Sequence, residues 1–214
     1  MRNAFEIVKD FEQAVAQYTG APYCVAVNSC TNALFLCLKW QQMQEPDDTQ
    51  HITIPRKTYI SVPMQILHAG YLVDFNDEPW RGEYRLEPFD IWDSAKKFTS
   101  NMWYENGKLP TCFDVMGYRY KCLSFHWNKI LGIQQGGAIL TNNPHFDKWA
   151  RRARFDGRTE GVKPKDDNPI MGWHMYMSPE IAAEGLVRLM HLPKNNPDLP
   201  PDDYPDLSQM EIFK

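Results

Sequence analysis

Hydrophobic residues along the chain follow two alternating spacings, one typical of helices and one typical of strands. A helix is predicted over residues 3–18, because apolar residues recur there every three or four positions and Gly20 follows as a stop signal. The buried run YCVAV (23–27) predicts a strand, and the polar turn NSCT (28–31) leads into a second helix. Strand, polar turn and helix together make a first βα unit.

The same alternation continues along the chain. Further strands are predicted at HITIP (51–55), YLVDF (71–75), FDIWD (89–93), KCLSF (121–125) and GAILT (137–141). Further helices are predicted at YISVPMQILHAG (59–70), which ends at Gly70, and at PHFDKWARRARF (144–155). A last helix is predicted at SPEIAAEGLVRLM (178–190), with Ser178 as its cap and Pro179 at its first position. This pattern predicts an α/β fold, a three-layer α/β/α domain with a mostly parallel sheet, over residues 1–191. Residues 192–214 form a Pro/Asp-rich tail, and we expect its stretch 193–206 to lack regular structure and to be able to dock on a neighbour.

The composition of the chain is useful mainly because it argues against several classes of function. The chain has 214 residues, 43% of them hydrophobic, which fits one globular domain. Its formal net charge of -4 provides no positive field for a nucleic-acid backbone, so we expect no nucleic-acid partner. The apolar runs are short and the N-terminal helix carries acids, which predicts a soluble, cytoplasmic protein without a membrane span. Five cysteines without a C-x-x-C pair and six scattered histidines predict reduced thiols and no metal site.

Two polar motifs follow predicted strands, which is where open α/β sheets bind their ligands. In NSCT, the free N–H groups of a helix start and the hydroxyls of Ser29 and Thr31 form either an anion site or an ordinary N-cap. In DSAK (93–96), Asp93 leaves a hydrophobic strand. It is either a cap or turn residue, or a carboxylate that holds a proton on a ring nitrogen.

Two further positions add to these motifs. Tyr59 stands between a strand and a helix, where it either stacks on a flat cofactor or packs. Lys129 follows Ser124 by five residues, and it is either a surface charge or a partly desolvated amine able to form a Schiff base with an aldehyde. Phosphate cradle, aromatic ring, aspartate and lysine are together what pyridoxal phosphate requires. The set therefore predicts a pyridoxal 5'-phosphate site more specifically than any single member does.

The order of these motifs, over about residues 11–190, resembles the pyridoxal-phosphate-dependent sugar aminotransferases of the DegT/DnrJ/StrS family. The resemblance implies the large cofactor-binding domain of fold-type I transferases, the aspartate aminotransferase type. It also implies amino sugar biosynthesis, in which an amino group moves from an amino acid donor to a keto-sugar that is usually nucleotide-linked. The family's site lies between two subunits, so a homodimer is expected.

The resemblance assigns five residues to the phosphate of the cofactor. Ser29, Cys30 and Thr31 occupy the phosphate turn, and Ser124 occupies a serine position that helps to hold the phosphate. His174 occupies the position from which an asparagine of the neighbouring subunit reaches the phosphate. Cys30 replaces a glycine of the family's turn, so the backbone there must avoid positive φ or accept strain.

It assigns five more residues to the ring of the cofactor. Tyr59 would stack on one face and Ala95 would lie on the other, while Asp93 would bind the pyridine nitrogen. Lys129 would be the Schiff-base lysine and the proton shuttle. Lys96 stands where a glutamine usually contacts the cofactor near its phenolic oxygen, and a second ammonium there would lower the pKa of Lys129.

The chain ends soon after residue 190, so relative to the family we expect it to lack the C-terminal domain that helps to enclose the substrate. The first hypothesis is therefore a reduced transaminase, because relatives that dehydrate have histidine where this chain keeps Lys129. The alternative is a catalytically silent binding or interaction module. A third possibility is a fragment whose site a separate chain completes.

Overall fold

We describe residues 4–44, 50–104 and 117–213 of the chain, as placed in a computed structural model. The helices in these ranges are α1 (Glu6–Thr19), α2 (Cys30–Gln44), α3 (Ser61–Ala69), α4 (Pro144–Ala153) and α5 (Pro179–His191). The strands are β1 (Tyr23–Val27), β2 (His51–Pro55), β3 (Leu72–Asn76), β4 (Tyr84–Arg85), β5 (Ile91–Asp93), β6 (Tyr120–Ser124) and β7 (Gly137–Thr141). Three short 3-10 helices follow at Pro164–Asp166, Leu207–Gln209 and Glu211–Phe213.

The main sheet has the strand order β1-β7-β6-β5-β4, and β2 and β3 form a separate parallel pair. Among the described strands of the main sheet only β5 and β6 pair in parallel, while the other three pairings are antiparallel. The prediction of a mostly parallel sheet is therefore wrong: the sheet is mixed. The physical reason lies in the connections, because residues 86–90 and 125–136 contain no crossover helix and simply return the chain antiparallel.

Helices cover both faces of this sheet, as the alternation along β1 shows. Val25 and Val27 point into a core shared with α2, α3 and α4, whereas Cys24 and Ala26 point into a second core shared with α1 and α5. Because both faces of β1 are covered and its last four residues are buried, its sequence is a continuous apolar run.

The helix boundaries follow the signals that the sequence carries. Gly20 ends α1 in the left-handed region at φ 79°, and Gly70 ends α3 at φ 96°. Ser178 caps α5 by accepting a hydrogen bond from the Ile181 N–H at 3.5 Å, and Pro179 is its first residue. These predicted start and stop signals are confirmed. No helix among the described residues is long and apolar enough to cross a membrane.

The tail packs back on the rest of the chain rather than extending away. As predicted, residues 193–206 form no helix or strand. The Leu199 N–H donates to the Lys96 carbonyl at 2.9 Å, and Leu199 O accepts from the Gly82 N–H at 3.1 Å. Further along, the N–H of the fully buried Leu207 donates to Arg56 O at 2.9 Å. This path brings residues 202–204 to one end of the main sheet.

Candidate functional site

A cavity of about 470 Å³ opens at the carboxyl ends of β1, β5 and β6, which run in the same direction. Nine of the ten residues that the sequence singles out line it: Ser29, Cys30, Thr31, Tyr59, Asp93, Ala95, Lys96, Ser124 and Lys129. The fold thus brings together motifs that lie up to a hundred residues apart in the chain. Their individual roles remain predictions.

The turn after β1 is both a cap and a wall of the cavity. Ser29 caps α2, since its Oγ accepts from the Asn32 N–H at 3.1 Å, and the Thr31 hydroxyl lies 2.8 Å from that of Ser61. The first N–H groups of α2 have no acceptor within their own helix, which suits an anion. Cys30 is the first residue of α2, and it is not among the described residues with positive φ. The backbone at this position is therefore not strained, although Cys30 stands where the family has a glycine.

A glycine holds this turn close to β7. A Cβ built on Gly137 would lie 2.4 Å from Ser29 C and 2.5 Å from Cys30 N, so no other residue fits there without moving the turn. Gly137 also pairs with Val27 on β1 and with Ser124 on β6. Ser124 and the turn therefore lie at the same level of the sheet, on the same side of the cavity.

Asp93 is buried at the end of β5, with both carboxylate oxygens engaged by its own chain. The Tyr84 hydroxyl donates to Oδ2 at 2.9 Å, and the Ala95 N–H donates to Oδ1 at 3.0 Å. The Cys30 thiol lies 3.8 Å from Oδ1. Burial raises the pKa of Asp93, and these hydrogen bonds and the charge of Lys129 offset that only in part. The carboxylate is held where a cation or a charged N–H donor would stabilise it.

Lys129 lies on the loop after β6, where its N–H donates to His126 O at 2.8 Å. Burial lowers the pKa of the half-buried Lys129 amine, and the neighbouring charge of Lys96 lowers it further. Asp202 and Asp93 act in the opposite direction without cancelling the effect. Within the described residues no carboxylate lies within 4.0 Å of its Nζ. A lysine with these properties has a larger neutral fraction than a surface lysine.

Lys96 has different surroundings in the same cavity. Its side chain is buried, with 4% of its surface exposed, and its Nζ lies 2.6 Å from Oδ1 of Asp202. The Tyr204 hydroxyl donates to Oδ2 of the same carboxylate at 2.8 Å. Asp202 and Tyr204 are site residues that sequence reasoning missed. They belong to the tail, and no motif in its Pro/Asp-rich sequence indicates where it docks.

An aromatic wall closes the outer side of the cavity. Tyr59 is 56% exposed, so its ring is not buried by packing and can contact a flat ligand. Its ring centroid lies 6.3 Å from that of Tyr204, which in turn stacks on Trp80 at 6.5 Å and 12°. Trp80 and Tyr204 were not predicted for the site.

His174 lies outside this cavity. It is exposed on the segment before α5, where its Nδ1 lies 3.1 Å from Asp156 and its ring packs on Tyr176. The sequence assigned it to the neighbouring subunit's site, so this placement does not test the assignment. Cys112 lies outside the described residues.

Comparison with known proteins places this cavity in context. The family described as the DegT/DnrJ/EryC1/StrS aminotransferase family matches residues 2–82 and 115–198. The chain therefore belongs to this family, and the predicted resemblance is confirmed.

Individual relatives match more loosely. The GDP-perosamine synthase of Caulobacter vibrioides is 26% identical over 85% of this chain and 56% of its own length. The spore coat polysaccharide biosynthesis protein SpsC of Bacillus subtilis is 43% identical over 70 residues, which are 33% of this chain and 17% of SpsC. The crystal structure of AtS13 from Actinomadura melliaura superposes with a TM-score of 0.71 at 19% identity, over 87% of this chain and 60% of AtS13. The chain thus spans little more than half the length of the synthase and of AtS13, and its match covers a smaller share of SpsC.

Proposed function

We propose that the cavity binds pyridoxal 5'-phosphate and that the chain is the large, cofactor-binding domain of a fold-type I aminotransferase. The observation that carries the proposal is the meeting of three elements in one cavity. These are the start of α2, the buried carboxylate of Asp93 and the amine of Lys129, which has no close carboxylate partner among the described residues. Each alone has a structural explanation, whereas their convergence fits one ligand class.

The residues present fit this cofactor in charge and in shape. An anion is favoured at the start of α2, where backbone N–H groups and the hydroxyls of Ser29 and Thr31 lie, with Ser124 at the same level of the sheet. A protonated ring nitrogen would relieve Asp93, whose burial disfavours an unpaired charge. The exposed ring of Tyr59 supplies a flat surface, and Ala95 lines the cavity with a side chain too small to obstruct a ring.

The bound cofactor would supply an electron-accepting ring that stabilises negative charge on the amino-bearing carbon of the substrate. The chain's own residues would hold and move protons around it. Asp93 would keep a proton on the ring nitrogen, because its negative carboxylate would accept a hydrogen bond from the protonated nitrogen. Lys129 Nζ would first provide the attachment point and then, when released, take up and return the proton on the reacting carbon.

The substrate class is inferred from relatives. We propose that the reaction moves an amino group from an amino acid to a keto-sugar, probed first with nucleotide-linked sugars, because one relative is a GDP-perosamine synthase and another serves polysaccharide biosynthesis. Pairing into a homodimer, with His174 contributing to the partner's site, is part of the same proposal.

The test is an absorption spectrum of the purified chain with added pyridoxal 5'-phosphate, followed by borohydride reduction and peptide mapping by mass spectrometry. We expect a visible band that reduction removes, with the added mass on Lys129. Lys129→Ala should lose the band, whereas Lys148→Ala, which removes an exposed lysine of α4, should keep it. Absence of the band from the unmodified chain, or added mass elsewhere, would sink the proposal and favour a silent binding module.

A further inference from the structure

Two lysines face one cavity, but among the described residues only Lys96 has a carboxylate partner. Lys96 is almost fully buried and forms an ion pair with Asp202 at 2.6 Å. Lys129 lines the same cavity without a carboxylate within ion-pair distance among the described residues. A site that bonds a carbonyl group to one lysine must therefore prevent reaction at the other.

The chemistry of amines explains how an ion pair can do this. Only a neutral amine has the lone pair that attacks a carbonyl carbon, and an ammonium group does not. A buried ammonium persists only when a counter-charge and hydrogen bonds stabilise it. Asp202 supplies this counter-charge to Lys96.

The tail is fixed in the position that this pairing requires. Leu199 is hydrogen bonded in both directions, to Lys96 O at 2.9 Å and from the Gly82 N–H at 3.1 Å. Asp202 follows Leu199 by three residues. Its Oδ1 contacts Lys96, and its Oδ2 accepts a hydrogen bond from the Tyr204 hydroxyl at 2.8 Å, which orients the carboxylate. The tail therefore contacts Lys96 twice: Leu199 is hydrogen bonded to its backbone, and Asp202 forms an ion pair with its side chain.

We infer that the C-terminal tail, through Asp202, selects the reactive lysine: its carboxylate engages the amine of Lys96 in an ion pair and leaves Lys129 as the amine that bonds a carbonyl group. Asp202 is a positioning residue in this scheme, since it acts through Lys96. The relevance to catalysis rests on the proposed function, but the selection itself does not need the cofactor.

The remaining charged and titratable groups around Lys129 do not provide this discrimination. Asp93 from β5 and Cys30 from α2 face Lys129 and favour its charged form, whereas Lys96 opposes it. The pKa of Asp202 is lowered, first by its hydrogen bond with Lys96 and further by the hydrogen bond from Tyr204, so the counter-charge is present at neutral pH. Its half-exposed side chain lets it be replaced without opening the core.

The experiment is reductive methylation of the full chain with formaldehyde and cyanoborohydride, without added cofactor, quantified for each lysine by mass spectrometry. Exposed Lys148 serves as the reference, and buried Lys121, which pairs with Glu83 at 2.8 Å, reports unfolding. In the unmodified chain we expect methylation of Lys129 and protection of Lys96. In Asp202→Asn, methylation of Lys96 relative to Lys148 should rise about tenfold, because the buried amine loses the carboxylate that engages it at 2.6 Å.

Two variants control this result. Asp203→Asn removes the exposed neighbouring carboxylate and should leave the ratio of Lys96 to Lys129 labelling unchanged. Tyr204→Phe keeps Asp202 but removes its orienting hydroxyl, and should raise Lys96 labelling by a smaller factor. Lys121 should stay protected in all of them.

Two outcomes would overturn the inference: Lys96 staying protected in Asp202→Asn, or reacting as fast as Lys129 in the unmodified chain. Repeating the mapping with pyridoxal 5'-phosphate and borohydride separates this inference from the proposed function. If no cofactor is fixed on any lysine while the methylation ratio still responds to Asp202, the proposed function fails and the selection by the tail stands.

Discussion

Two of the places where the chain buries charge are built differently: the cluster around Glu12 and the cavity. Beneath α1, Glu12 accepts from the Ala26 N–H at 2.8 Å and pairs with Arg151 at 2.5 Å and with the fully buried Arg154. Burial alone would raise the pKa of Glu12, but the two arginines outweigh it and lower the pKa. In the cavity, burial prevails instead: the pKa of Asp93 is raised and that of Lys129 is lowered.

The difference in pairing separates charged residues that stabilise the fold from charged residues that a ligand could neutralise. A buried ion that is fully paired is a structural element, and losing one partner leaves the other without compensation. A buried ion that its own chain leaves undercompensated costs stability unless something else completes it. The cavity contains such groups of both signs, which is why we regard it as the functional site.

The largest expected effect is on the structural cluster. Glu12→Gln should lower the free energy of unfolding by about 3 kcal/mol, because Arg154 and Arg151 lose a buried counter-charge. Chemical denaturation measures this. As a matched control, Glu184→Gln removes one partner of the exposed pair with Arg188 and should change stability by less than about 0.5 kcal/mol. If Glu12→Gln lowered the free energy of unfolding no more than the control does, Glu12 would not be a structural charge.

An intermediate effect of opposite sign is expected in the cavity. Because the folded-state pKa of Asp93 is raised, the stability of the unmodified chain falls as pH rises from the unfolded pKa through the folded pKa. Asp93→Asn removes this penalty, and its amide can still accept from the Ala95 N–H and donate to the Tyr84 hydroxyl. We expect its thermal midpoint to rise by about 3 °C at pH 7 and to match the unmodified chain at acid pH. A lower midpoint at pH 7 would show that Asp93 is a structural charge like Glu12.

The smallest effect concerns the pair of lysines. Lys96→Gln removes the like charge that lowers the pKa of Lys129 and frees Asp202 to act on it, so both changes raise that pKa. The pH profile of Lys129 methylation should move to higher pH, with a rate about threefold lower near neutrality. Lys97→Gln is the control, since Lys97 pairs with Glu83 at 2.8 Å and is not among the main groups that shift the pKa of Lys129. A profile that moves to lower pH, or moves equally in the control, would contradict the electrostatic coupling.

Much of the fold could be read from the sequence, because its local signals are strong. β1, β2 and β7 coincide with their predicted apolar runs, and α5 begins at its predicted cap. β4 was missed, since two residues carry no periodicity. The direction of β7 was also missed, because strand polarity depends on how the connection folds rather than on the residues of the strand.

Some residues of the candidate site could be predicted from the sequence, and others could not. Asp93 and Lys129 could be found because each follows an apolar strand in a motif with a known chemical use. Asp202 and Tyr84, which contact Lys96 and Asp93, could not, because their contacts span long loops or a strand too short to recognise. Composition showed that the tail would be irregular but not where it would dock.

The contact between Gly137 and the turn after β1 also bears on how the chain reaches the correct strand register. Antiparallel β7 lies between β1 and β6, and a slip by one residue that puts Ala138 in the place of Gly137 would bring a methyl group against the Ser29–Cys30 peptide. The backbone of the turn would then be displaced before any ligand arrived. The missing methyl group at Gly137 thus couples the turn after β1 to strand pairing, because a sheet shifted toward Ala138 and an undisturbed turn exclude each other.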